Sequence, residues 1–191
     1  MRGTQGVIVN DALAFIGTQT TANKKWFTWL AFNAPHSPYH KPPDDLHTYD
    51  TTVANWAALP VTGNSLVHCN AAIQAMDTEI GRLLASVDLN TTTVIFIGDN
   101  GTPPAVLQTP FPANRGKATL YEGGIRVPMI VRGPDVVSPN RTASQLVHVT
   151  DLYSTILELA GINVATTTAG ITLDSQSVLP ILQNQSVTRS R

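Results

Sequence analysis

The side chains with the most chemistry in them lie in a few short stretches. Gly98-Asp99-Asn100-Gly101 sets a carboxylate beside a carboxamide between two glycines. Oxygen donors of this kind suit a hard divalent cation such as calcium or magnesium. Gly116-Lys117 adds an ammonium after a short loop, and Tyr121-Glu122-Gly123-Gly124 adds a second glycine turn. A metal and a lysine brought to one edge would hold an anion. Each piece also has an ordinary reading by itself: Asp-Asn as turn chemistry, a lone lysine as a solvated charge, Gly-Gly as a turn.

The elements around these residues must position them. Val94-Ile95-Phe96-Ile97 is too short for a helix and rich in β-branched and aromatic side chains, so it reads as a strand buried on both faces. Ligands of open α/β sheets bind beyond the carboxyl ends of the strands, which is where Asp99 and Asn100 fall. Residues 26–32 read as a second strand, ending at Asn33-Ala34-Pro35-His36. Prolines 35, 38, 42 and 43 forbid regular structure after it, giving a long loop over residues 35–60. Apolar positions Val9, Ala12, Leu13 and Ile16 predict a helix over residues 7–20. Ile73, Met76, Ile80, Leu83, Leu84 and Val87 predict another over 65–86, with Cys69 inside it as a small buried side chain. Strand 26–32, this helix and strand 94–97 would form a right-handed βαβ unit. Residues 125–131 read as a strand that Pro128 confines to an edge or a bulge, and Glu122 and Arg126 as a structural ion pair. Thr150 suits the N-cap of a helix over 151–160 facing inward through Leu152, Ile156 and Leu159, with Gly161 at its C′ position. The fold class is α/β. Residues 183–191 read as a frayed tail.

The order and spacing of these pieces resemble the formylglycine-dependent sulfatases of the alkaline phosphatase superfamily. GDNG, GK and YEGGIRVPMIVRGP follow one another as they do there. LAFNAPHSP over residues 30–38 resembles the family's strand-and-histidine segment, and DTEIGRLL over 77–84 its helix. The run from Leu173-Asp174 to Leu179-Pro180 resembles its closing segment, with Ser175 where glycine is usual. The resemblance implies a mostly parallel sheet flanked by helices and hydrolysis of a sulfate ester. His36 would contact the sulfate or protonate the leaving oxygen, Lys117 would hold the sulfate, and Asp99 and Asn100 would be two ligands of a calcium or magnesium ion. Asn100 matters, because phosphoesterase relatives carry histidine there, and imidazole suits zinc or manganese better than calcium.

The family's nucleophile is a formylglycine hydrate made from Cys or Ser in a C/S-x-P/A-x-R motif. Cys69 is followed by Asn70-Ala71-Ala72, without the arginine, and Ser138-Pro139-Asn140-Arg141 places the proline one position early. Asp44-Asp45 follows Pro42-Pro43 in a loop and does not match the family's N-terminal metal aspartates. Residues 1–191 therefore read as one partial catalytic domain that binds metal weakly and is inactive alone. Alternatives are a non-catalytic remnant, a subunit completed by a partner, or a promiscuous phosphoesterase. An incomplete sheet would expose apolar surface, with self-association or a covering partner as the consequence.

A hydrophobic fraction of 42% with 13% charged residues is globular, and 191 residues can bury a core. The net charge is −1 with Lys and Arg scattered, so there is no nucleic-acid footprint. No stretch has the length of a membrane span and the N-terminus lacks the apolar core of a signal peptide. Cys69 is the single cysteine, which excludes an intrachain disulfide. The compartment stays open, since complete sulfatases are often periplasmic, lysosomal or secreted. Asn90, Asn140 and Asn184 fit the glycosylation pattern, which a chain rich in Asn, Ser and Thr also matches by chance.

Overall fold

The structure, a computed structural model, describes residues 3–49 and 64–189. The part of the expected long loop at residues 50–60 lies outside them. The chain divides into two compact units, Met1–Asp88 with Gly98–Val127 and Leu89–Ile97 with Pro128–Arg191.

In the first unit, helix α1 (Gly3–Thr21) buries Gly6, Val9, Ala12 and Ile16 along one stripe and packs on helix α2 (Ser65–Leu84). The face that α2 buries differs from the expected aliphatic stripe. His68, Cys69, Ala71, Ala75 and Glu79 point inward, whereas Ile73 is 43% exposed. Small side chains at 71 and 75 leave room for neighbouring elements to come close to α2. The charge this buries is compensated locally. Glu79 is fully buried, and Arg82 reaches it through Nε at 2.9 Å and Nη2 at 2.5 Å while donating also to the Gly6 carbonyl on α1. An uncompensated carboxylate there would be costly.

Residues 26–32 form no strand. They keep a two-residue alternation, with Trp26, Thr28, Leu30 and Phe32 half-buried and Phe27, Trp29 and Ala31 exposed. A strand is defined by a hydrogen-bonded neighbour, and among the described residues none pairs with this segment. The parallel βαβ crossover expected from it is accordingly not formed here.

The second unit holds the sheet. Strand β1 (Val94–Ile97) pairs antiparallel with β2 (Met129–Arg132), Val94 opposite Arg132 and Ile97 opposite Met129. This described pair is antiparallel and open on one face, since Phe96 is 37% and Ile130 64% exposed, so β1 is not the strand buried on both faces that its composition suggests. The other face of β2, Met129 and Val131, packs on Val178, Ile181 and Leu182, a cluster that Val187 also packs against. Strand β2 starts at Met129 rather than 125. Pro128 has no N–H to give to a ladder, and residues Glu122–Ile125 are wound into a helical turn, α3, in the first unit.

Helix α4 (Asp151–Leu159) begins after Thr150 as expected, but the Thr150 side chain makes no cap hydrogen bond, and Asp151 ties the helix start to neighbouring segments instead. Its carboxylate accepts from the N–H groups of His148 (2.8 Å) and Gln176 (2.9 Å), while the Thr150 hydroxyl donates to the Asp174 carbonyl. The buried face of α4 is mostly polar: Asp151, Leu152, Ser154 and Thr155, with Ile156 and Leu159 only half-buried. The segment before helix α6 (Leu179–Leu182) meets this face with hydrogen bonds: the Ser154 backbone N–H donates to Ser175 Oγ, and Val178 N–H donates to Thr155 Oγ1. At its far end Gly161 takes φ +83°, and the bonds Ile162 N–H to Leu157 O and Gly161 N–H to Glu158 O close the helix. A one-turn helix, α5 (Val164–Thr167), follows, capped by Asn163. The tail is not frayed as far as Arg189. Its side chain is 7% exposed, and the guanidinium pairs with the buried Asp151 carboxylate at 2.6 Å.

Candidate anion-binding site

The anion-binding residues read from the sequence all fall in the first unit. The loop carrying His36 is pinned three residues later by Tyr39. That ring is 8% exposed and packs with Cys69 of α2 and with Val106, Leu66 completing the cluster. Burial raises the Tyr39 phenol above its ordinary range, with Cys69 adding to the shift, and burial raises the Cys69 thiol likewise. Both side chains are apolar anchors in effect. Tyr39 is the positioning residue that motif reading passed over; its signal is a large aromatic set in an otherwise polar, proline-rich loop. The Ala34–Pro35 and Ser37–Pro38 bonds on either side of His36 are cis.

Lys117 arrives from the other direction. Its N–H donates to the Thr102 carbonyl at 2.8 Å, while Gly101 N–H and Thr102 N–H donate to the carbonyls of Gly124 and Gly123. The segments 101–102, 116–117 and 123–124 are thereby laced together. The glycines serve this close approach and not a left-handed turn. A methyl group at 123 would stand 2.6 Å from the Arg115 carbonyl oxygen, one at 116 would stand 2.5 Å from that of Thr102, and one at 101 or 124 would overlap backbone atoms.

The result is a contact over 81 positions of sequence: Lys117 Nζ lies 3.3 Å from His36 Nε2. His36 Nδ1 lies 2.5 Å from the Ser37 carbonyl, which can only accept. Nδ1 is therefore the protonated ring nitrogen and Nε2 the acceptor for the lysine. His36 is exposed and Lys117 half-buried, so the pair is open to solvent.

Asp99 and Asn100 are exposed and lead directly into Gly101. Asp99 Oδ1 accepts the Asn100 N–H at 2.8 Å, and Asn100 Nδ2 donates to the Gly101 carbonyl at 3.1 Å. That orientation of the amide leaves its oxygen, with the second Asp99 oxygen, as the ends that bear no hydrogen bond among the described residues. Two hard oxygen donors fit part of a calcium or magnesium shell; no cluster of three His, Cys, Asp or Glu able to hold a metal occurs among the described residues.

The remaining candidates fall elsewhere. Asp44 pairs with Lys41 at 2.8 Å on a short 3-10 turn, as suits a surface loop. His40 is exposed, whereas His47 is buried, only 8% exposed. Its Nδ1 accepts the Tyr49 N–H and its Nε2 meets the Pro42 carbonyl, so it braces the loop. Glu122 and Arg126 form the expected ion pair, 3.4 Å and exposed. Arg115 lies over the Tyr121 ring, 4.5 Å from its centroid, a stack that sequence reading did not foresee.

Comparison with known proteins places the chain in a family. The family model described as Sulfatase matches residues 4–162. N-acetylglucosamine-6-sulfatase of Homo sapiens is 28% identical over 208 aligned positions, which cover 94% of this chain and 36% of that protein. N-acetylgalactosamine-6-sulfatase of Canis lupus familiaris is 30% identical over 167 positions, covering 82% and 28%. The crystal structure of Ps i-CgsB in complex with k-i-k-neocarrahexaose superposes with a TM-score of 0.77 at 26% identity, over 95% of this chain and 39% of that one. The chain thus spans between 28% and 39% of the length of these three relatives. No described helix is long and apolar enough to cross a membrane.

Proposed function

Since the chain belongs to the sulfatase family, we propose that it carries the sulfate-holding wall of a sulfuric ester hydrolase, acting on a sulfated carbohydrate. The 3.3 Å approach of Lys117 Nζ to His36 Nε2 carries the proposal. A sulfate oxygen entering there takes the ammonium hydrogens that Nε2 now receives, a charge-assisted bond stronger than the one it replaces. The imidazole, its Nδ1–H held by the Ser37 carbonyl, then presents Nε2 to the ester. Once Nε2 has taken a second proton from solvent, the imidazolium donates a hydrogen bond to a sulfate oxygen or passes that proton to the departing alkoxide. Asp99 and Asn100 would supply two oxygens to a calcium or magnesium ion, which when bound offsets charge on the sulfate oxygens. The amide at 100, an oxygen donor where phosphoesterase relatives use imidazole, favours the sulfate-ester reading over the phosphate one.

The nucleophile is outside these 191 residues in this proposal, because no C/S-x-P/A-x-R motif occurs in them. The chain by itself is expected to bind inorganic sulfate and to leave a chromogenic aryl sulfate intact. Equilibrium dialysis against labelled sulfate tests the first point. Lys117→Ala and His36→Ala should each weaken binding, and unchanged binding in both variants would overturn the assignment. Turnover of the aryl sulfate by the chain, lost in the same variants, would overturn the placement of the nucleophile elsewhere. The named substrates of the relatives suggest a carbohydrate as the alcohol.

A further inference from the structure

The loop that delivers Lys117 carries a second cation whose charge nothing in the sulfate-holding pair uses. Arg115 is exposed, and its guanidinium lies 4.5 Å from the centroid of the Tyr121 ring, itself 52% exposed. The acid nearest in sequence, Glu122, is taken by Arg126 at 3.4 Å, and Arg115 forms no ion pair among the described residues. Its backbone is held from both sides. Arg115 N–H donates to the Pro112 carbonyl at 2.9 Å, and Gly123 packs so tightly on the Arg115 carbonyl that a side chain there would clash. The Tyr121 ring covers one side of the guanidinium and limits its movement, while the N–H donors lie in the guanidinium plane. A planar fork held this way matches a two-oxygen acid group, and little further freedom is lost when one binds. Arg115 and Lys117 are two residues apart, so their Cα atoms lie within about 7 Å.

We propose that Arg115, stacked on Tyr121, forms an accessory anion subsite beside Lys117 that takes a second acidic group, a sulfate ester or a carboxylate, on the same carbohydrate substrate. This rests on the sulfate-holding role of Lys117 and adds a selectivity to it: substrates bearing two neighbouring acidic groups are preferred over those bearing one. Tyr121 acts through Arg115 as a positioning residue.

The test is calorimetric titration of the chain with four probes: inorganic sulfate, a monosulfated disaccharide, a disulfated one, and a monosulfated one containing a uronate. The disulfated probe, the uronate probe or both should bind about tenfold more tightly than the monosulfated one, and which of them does identifies the acid. Arg115→Ala should erase that preference and leave inorganic sulfate binding within twofold. Tyr121→Phe, which keeps the ring, should retain the preference, and Tyr121→Leu should reduce it. Equal affinities for all the disaccharides, or an Arg115→Ala variant that keeps the preference, would overturn the subsite while leaving the Lys117 assignment intact. An Arg115→Ala variant that loses inorganic sulfate as strongly as the diacid probes would overturn it as well, showing that the stack only supports Lys117. Inorganic sulfate binding that is indifferent to both His36→Ala and Lys117→Ala would instead remove the parent site and the subsite with it.

Discussion

Replacing Arg189 by alanine should destabilise the second unit by about 3 kcal/mol, although the residue stands where the sequence suggests a loose tail. The magnitude follows from what the guanidinium touches. It pairs with Asp151, whose side chain is fully buried, at 2.6 Å, and donates to the carbonyls of Ser177 at 3.1 Å and Gln176 at 3.0 Å. Breaking a buried pair by removing one partner costs ~3–5 kcal/mol, because a charge is left behind without its counterion. Two features put this case at the lower end. The Asp151 carboxylate keeps the N–H groups of His148 and Gln176, and the Arg189 Nε–H is buried without an acceptor among the described residues, a cost that the substitution relieves. The assay is native-state hydrogen exchange at the amides of Gln176 and Val178, whose N–H groups bond to Asp151 and Thr155. About 3 kcal/mol corresponds to protection lowered by roughly a hundredfold. A change of less than threefold at both amides would refute the reasoning and show that the tail is dispensable.

Other consequences are open to measurement. Gly124→Ala puts a methyl group into the carbonyls of Gly116 and Thr119, so it should cost about 1–3 kcal/mol and weaken sulfate binding by displacing Lys117; wild-type affinity would contradict the lacing of these segments. Burial raises the Cys69 thiol, so alkylation by iodoacetamide at pH 8 should be at least about tenfold slower in the folded chain than in urea. Because the folded thiol and the Tyr39 phenol ionise above their unfolded values, the stability that they contribute is complete below about pH 9 and falls as pH rises beyond it; urea midpoints that rise between pH 8 and 10.5 would contradict this. Phe27 and Trp29 are 58% and 65% exposed, and the chain is expected to self-associate through such surface; light scattering giving a 20.5 kDa monomer at 100 µM would count against it.

Much of the site was legible in the sequence because it is written in local order. GDNG, GK and YEGG each specify a turn, and their backbone bonds to one another follow from the glycines that permit close approach. That His36 would meet Lys117 was readable only from the resemblance, since nothing local in either loop records a contact across 81 positions. The anchor that makes it, Tyr39 on Cys69 and Val106, is a packing fact without a motif. Helices α1, α2 and α4 were legible from periodicity, but the inward face of α2 was not. Periodicity favours the bulky aliphatics at 73, 76 and 80, while the partners of α2 select the small side chains at 71 and 75 and a carboxylate neutralised by Arg82. The strand read at 26–32 kept its alternation and lacked a ladder, because pairing belongs to the neighbour and not to the segment. The buried Asp151–Arg189 pair, 38 positions apart, had no local signature at all.

The most direct test of the central claim, that the imidazole at 36 and the ammonium at 117 address one anion, is the ring nitrogen resonances of His36 followed by NMR as sulfate is added. In the free chain Nδ1 should carry the proton and Nε2 should show the shift of an acceptor. Sulfate should move the Nε2 resonance saturably, and Lys117→Ala should weaken that response at least tenfold. A resonance that ignores sulfate, or one that titrates identically in wild type and Lys117→Ala, would contradict it.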